Sequence, residues 1–111
     1  MSQVTTHILD TTTCKPATGV SIILYAQESD WLEIANGTTN GEGRLTDLLP
    51  GGEMLPHGIY KMKFLTKNYF DERSIETFYP YVEIVFAITT SNHYHIPLLL
   101  NPFGYTTYRG S

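Results

Sequence analysis

Apolar and polar side chains alternate every second residue along most of this chain, the spacing of strands and not of helices. Val82, Ile84, Phe86 and Ile88 stand between Tyr81, Glu83, Val85 and Ala87, which predicts a long strand with one strongly apolar face. Tyr60, Met62 and Phe64 alternate with Lys61, Lys63 and Leu65 in a second, half-buried strand. Residues 20–27 carry β-branched Val20, Ile22 and Ile23 and predict a third. Residues 31–38 are expected to pair with it across the polar turn Glu28-Ser29-Asp30. Residues 4–9, 93–100 and 105–109 complete the set. Turn residues separate these runs at Asn36-Gly37, Asn40-Gly41, Pro50-Gly51-Gly52, Pro56-His57-Gly58, Ser91-Asn92 and Asn101-Pro102-Phe103-Gly104. Only residues 67–76 lack strand character, and they predict one or two turns of helix. The expected fold is all-β: a two-sheet antiparallel β-sandwich of about seven or eight strands with one short helix, formed as one domain over residues 1–111.

Alternation assigns Tyr94, Ile96, Leu98 and Leu100 to the core. His93, His95, Pro97 and Leu99 then face away from it, toward solvent or a partner subunit. Pro97 cannot donate to a ladder, so it is expected at an edge or a bulge.

Composition narrows the class. Hydrophobic residues make up 41% and aromatics 13% of the 111 residues, enough for a packed core and too many for a disordered chain. Only 16% are charged, below the usual ~25% of globular proteins, a shortage that fits a chain hiding part of its surface in an oligomer. The formal net charge is -4, with seven Lys+Arg spread along the sequence, so no basic face for nucleic acid is expected. No apolar run approaches the ~20 residues of a membrane span. The start, Met1-Ser2-Gln3-Val4-Thr5-Thr6-His7, has no signal-peptide pattern. The single cysteine, Cys14, forbids an internal disulfide and Cys-rich zinc sites and fits a reducing compartment. The expected location is the cytoplasm, with the peroxisome as the alternative in a eukaryote. The Asn36-Gly37-Thr38 sequon is then a coincidence.

No phosphate loop or nucleophile elbow is present. Asn40-Gly41-Glu42-Gly43 lacks the repeated carboxylates of a calcium loop and reads as a turn. His93-x-His95 could hold a metal along a strand face but has no evident third ligand. Cys14 beside Lys15 reads as an ordinary loop cysteine. What remains is His7, Arg44, His95 and Tyr108-Arg109-Gly110-Ser111. Each has a bland reading: a polar edge residue, a solvated charge after a glycine turn, a frayed terminus. Together they suit metal-free hydrolysis, because neutral imidazoles exchange protons near neutral pH and a fixed guanidinium stabilises a developing oxyanion.

The same residues carry a resemblance. His7-Ile8-Leu9-Asp10, Gly43-Arg44-Leu45, Tyr79-Pro80-Tyr81-Val82-Glu83-Ile84-Val85-Phe86, His93-Tyr94-His95-Ile96-Pro97-Leu98-Leu99 and above all Tyr108-Arg109-Gly110-Ser111 resemble 5-hydroxyisourate hydrolase, the enzyme branch of the transthyretin-like proteins. The resemblance runs through essentially the whole chain and is loose only around Cys14 and residues 51–58. It implies a transthyretin-like sandwich, a homotetramer built as a dimer of dimers, and clefts at the dimer–dimer contact. It implies His7, Arg44, His95 and Ser111 as catalytic residues, with Tyr108, Arg109 and Gly110 placing the terminus against substrate. His93 is not among the residues it carries over. The implied reaction is metal-independent ring opening of 5-hydroxyisourate, a product of urate oxidation, to 2-oxo-4-hydroxy-4-carboxy-5-ureidoimidazoline, with no cofactor. The alternatives are a thyroid hormone binder of the transthyretin type, whose branch is without the His, Arg, His set, and a structural module.

Overall fold

The structure is a computed structural model and describes residues 2–111. Two sheets form the sandwich. The first contains β1 (Val4–Asp10), β2 (Lys15–Pro16), β5 (Arg44–Leu45), β8 (Tyr94–Asn101) and β9 (Gly104–Thr107), in the order β2-β1-β8-β9 with β5 also paired to β1. The second contains β3 (Ser21–Gln27), β4 (Trp31–Thr38), β6 (Gly58–Phe64) and β7 (Val82–Ile88), in the order β4-β3-β6-β7. Its pairings are all antiparallel, and β3–β4 is the expected hairpin across residues 28–30.

The inward faces follow the period-two pattern. Val4 and Ile8 of β1, Ile22 and Leu24 of β3, Met62 and Phe64 of β6, and Leu98 and Leu100 of β8 are all buried between the sheets. The one helix, α1 (Thr66–Asp71), is shorter than the expected stretch and lays Tyr69 and Phe70 on the core. Its following turn ends at Ser74, whose φ of 56° cannot continue a right-handed helix.

Two features depart from a simple antiparallel reading. First, β1 and β8 are parallel, in register from Val4↔Tyr94 to Asp10↔Leu100. Second, Pro97 is on an interior strand, not at an edge or bulge. Its neighbour pair Leu98↔Thr107 and the isolated bridge His95↔Gly110 share one register, so Pro97 stands opposite Tyr108. There its missing N–H interrupts the ladder between β8 and the C-terminal segment. The Pro97 carbonyl instead accepts the Thr107 hydroxyl at 2.7 Å, and pairing resumes at Gly110, whose N–H donates to the His95 carbonyl at 2.9 Å.

At the far end of β1, buried Asp10 ties the fold together. One carboxylate oxygen accepts the Tyr69 hydroxyl at 2.8 Å and the other the Thr12 amide at 2.9 Å. Burial, reinforced by the Asp10 contact, pushes the Tyr69 phenol up to about 12. Tyr69→Phe leaves the carboxylate short of a donor, and is expected to cost about 1–3 kcal/mol in urea unfolding. An unchanged midpoint would show that water replaces the phenol at no cost.

Candidate active site

The site is built on the outer face of the β1–β8 sheet, at the end where β5 joins it. On β1, Thr5 and His7 point outward two residues apart. Thr5 is opposite His95 of β8, while His7 lies between Pro97 of β8 and Arg44 of β5. Parallel register therefore brings His7 and His95, 88 residues apart in sequence, to diagonal positions on one face.

Arg44 is placed by the turn before it. The Asn40 side-chain oxygen accepts the amides of Glu42 at 2.8 Å and Arg44 at 3.1 Å, and the Asn40 amide donates to the Arg44 carbonyl at 2.9 Å. Gly43 completes the turn at φ +72°, where a Cβ would lie 2.5 Å from the Ile8 carbonyl oxygen. A side chain at 43 would thus push β5 off β1 and carry Arg44 with it.

A hollow of about 140 Å³ opens beside this pair of strands, lined by Thr5, Arg44, Thr46, His93, His95 and Ser111. The structure therefore brings together Arg44, His95 and Ser111 of the residues singled out in the sequence. His7 flanks the hollow from the Arg44 side without lining it. Gly110 packs edge-on against the His95 ring: a Cβ there would lie 2.6 Å from Cδ2. Tyr108 and Arg109 turn the other way. They line a separate hollow of about 280 Å³ between the sheets, with Ile84, Phe86 and Tyr94, and share only the His95 wall with the first. The Arg109 guanidinium lies 4.4 Å above the Tyr94 ring, a cation–π contact that holds the tail down.

The electrostatics favour neutral imidazoles. Burial, and next the Arg44 guanidinium, holds His7 below its ordinary value of 6.5; a backbone hydrogen bond with Glu42 works the other way. Burial also lowers His95, with His93, Arg44 and His7 adding in that order. Both rings are thus bases rather than cations at neutral pH. Among the described residues no group of three or more His, Cys, Asp and Glu could hold a metal ion. A neutral base and a cation lining one small hollow, with a second neutral base beside it, can bind a polar ring, activate water and stabilise an oxyanion.

The sequence model of the HIUase/Transthyretin family matches residues 4–110. The chain belongs to the HIUase/Transthyretin family. A 5-hydroxyisourate hydrolase of Mus musculus is 46% identical, covering 99% of this chain and 96% of the mouse protein. A probable 5-hydroxyisourate hydrolase of Schizosaccharomyces pombe is also 46% identical, over 96% of this chain and 90% of the yeast protein. Among solved structures, Klebsiella pneumoniae 5-hydroxyisourate hydrolase superposes with a TM-score of 0.87 at 35% identity, covering 97% of this chain and 98% of its own. Transthyretin from Sparus aurata gives 0.91 at 30% identity, over 99% and 97%. The family fold is therefore common to 5-hydroxyisourate hydrolases and to transthyretin, and backbone similarity alone does not separate the two.

Thr5, Thr46 and the packing of His93 against Thr5 were not singled out in the sequence. Thr5 carries a usable signal: it sits two residues before His7, on the same strand face.

Proposed function

We propose that this family member hydrolyses 5-hydroxyisourate, opening its six-membered ring at a lactam carbonyl to give 2-oxo-4-hydroxy-4-carboxy-5-ureidoimidazoline. The observation that carries the reading is the small hollow in which the lowered imidazole of His95 faces Arg44 and Ser111, with lowered His7 alongside. A neutral imidazole takes the proton of the attacking water and returns one to the departing ring nitrogen. Arg44 supplies positive charge where the carbonyl oxygen becomes negative. Ser111 binds the substrate edge through its hydroxyl, and Gly110 sets its distance from His95. Tyr108 and Arg109 act on substrate only through the placement of that tail. The reaction consumes water alone, and in this reading His95, His7 and Arg44 supply the proton transfer and charge stabilisation without a cofactor.

Assembly belongs to the same proposal. β7 and β9 each form one open edge of their sheets, with β4 and β2 at the opposite edges, and Val85 and Tyr105 on them are exposed apolar side chains. Edge pairing by a second copy would extend both sheets and remove both edges. Two such dimers, packed through the outer faces that carry His95 and Arg44, would close the hollow into a cleft in a homotetramer. The expected partners are that substrate and copies of this chain.

The test is a coupled ultraviolet assay in which 5-hydroxyisourate is made fresh from urate by urate oxidase. Untagged protein is expected to speed the decay far beyond the spontaneous rate, and light scattering on the same sample to return a tetramer. Spontaneous-rate decay with folded protein overturns the hydrolase reading. Hormone binding, favoured by the TM-score of 0.91 to sea bream transthyretin in complex with thyroxine, then becomes the reading to test.

A further inference from the structure

Beneath His95 lies a hydrogen-bond chain that the residues inferred for catalysis do not include. The Thr5 hydroxyl oxygen is 2.8 Å from Nδ1 of His95 and 2.8 Å from Nε2 of His93. The two rings stack at 6.1 Å with 27° between their planes, and Thr5 itself is 2% exposed. A hydroxyl owns one proton. Among the described residues no third acceptor stands within hydrogen-bond distance of it, so between two neutral imidazoles it gives that proton to one ring nitrogen and accepts from the other. The two rings therefore cannot choose their tautomers independently.

Two arrangements satisfy the chain. In one, His95 donates Nδ1–H to Thr5, and Thr5 donates to His93. In the other, every donor and acceptor is reversed. The surroundings distinguish them. Arg44 lines the same hollow as His95 and its positive charge disfavours protons on that ring. The nitrogen turned away from Thr5 is Nε2. A lone pair there is attracted by the guanidinium, whereas an N–H there would oppose it. At the other end His93 is exposed, so water satisfies its Nδ1–H at no cost.

We infer that Thr5 is a positioning residue, which, with His93 as its acceptor, locks His95 in the Nδ1–H tautomer and leaves Nε2 bare toward the hollow. This rests on the hydrolase reading for its consequence, that Nε2 of His95 is the atom that takes the proton from water. It does not rest on that reading for the hydrogen-bond chain itself. The logic is general: the partner of one ring nitrogen decides which proton the other carries. A neutral histidine side chain in water prefers the opposite tautomer, with the proton on Nε2, so without Thr5 the base would be blocked in most molecules.

The experiment has two arms. In the first, protein labelled with ¹⁵N-histidine is examined by long-range proton–nitrogen NMR without substrate, at a pH where the rings are neutral. His95 is expected as Nδ1–H in the native protein, reverting toward Nε2–H in Thr5→Val, a variant of nearly the same shape, and giving a mixture in His93→Phe. In the second arm, Thr5→Val is expected to lose about 10–100-fold in kcat with KM little changed, the scale known for partners that orient metal-bound histidines. Thr5→Ser, which restores the hydroxyl, should recover most of it. An Nε2–H signal for His95 in the native protein overturns the inference. So does native kcat in Thr5→Val, or a Thr5→Ser variant as impaired as Thr5→Val. If Thr5→Val fails to fold, exposed His93 provides the same tautomer readout, and an unmixed His95 signal in His93→Phe counts against the chain. A native protein inert toward 5-hydroxyisourate overturns the hydrolase reading, while the spectrum still decides the tautomer.

Discussion

His95→Ala is expected to lower kcat toward 5-hydroxyisourate by about 10²–10⁴-fold, the contribution of one general base. The thermal midpoint should hardly move, because His95 points out of the sandwich and the core on the other face of β8 is untouched. Arg44→Met should cost about 10²–10³-fold, the scale of one oxyanion donor, and Arg44 is exposed at the end of a turn, so its loss also spares the core. The two variants differ in pH dependence. In the native protein both histidines lie below 6.5, chiefly through burial. The acid limb of kcat/KM should therefore fall below pH 6.5. Removing the guanidinium removes one cause of that lowering, so in Arg44→Met the limb should move up toward 6.5. A limb that stays in place would mean that Arg44 does not act on the base, and native turnover in His95→Ala would remove His95 from the chemistry.

The depressed histidines also predict the sign of acid lability. Unfolded, these rings bind protons at an ordinary 6.5; folded, they resist until lower pH. The unfolded state thus holds more protons in the window just below 6.5, and stability falls as the pH drops through it.

Much of the architecture is legible in the alternation because each long strand buries one face, and period two survives any pairing. What period two does not carry is direction. The β1–β8 pair is parallel although each strand reads as it would in an antiparallel sheet. Nor can alternation be seen in two residues, so β2 and β5 escape it, and β5 is the strand that presents Arg44. Pro97 misleads for a related reason: a proline is excluded from a ladder only where its missing N–H is needed, and here the gap opposite Tyr108 absorbs it. The site is legible as a set of residue types, but its geometry depends on register. His7, Arg44 and His95 meet only because Arg44 and Pro97 flank His7 on neighbouring strands. The contiguous Tyr108-Arg109-Gly110-Ser111 suggests one shared surface, whereas the chain sends Tyr108 and Arg109 to one hollow and Ser111 to another.

That division makes Gly110 the most sensitive joint in the tail. Its requirement is space. A Cβ at this position would stand 2.6 Å from Cδ2 and 3.3 Å from Cγ of His95, and 3.1 Å from Cγ of Pro97. Neither neighbour yields easily: the imidazole is held by Thr5 on its other side, and the proline ring is buried and rigid. The tail must move instead. Gly110→Ala should then stretch the 2.9 Å hydrogen bond from the Gly110 amide to the His95 carbonyl and carry Ser111 away from the hollow. A displacement of ~1 Å at a reacting group can cost about 10²-fold in rate, and that is the loss expected in kcat/KM. Unfolding free energy should change by only about 0.5 kcal/mol, as for surface positions generally, since residues 108–111 contribute no side chain to the core. Gly51→Ala is the matched control, because a Cβ there meets nothing within 4 Å, and it should retain activity. Native activity in Gly110→Ala would place the reaction elsewhere than beside the His95 ring.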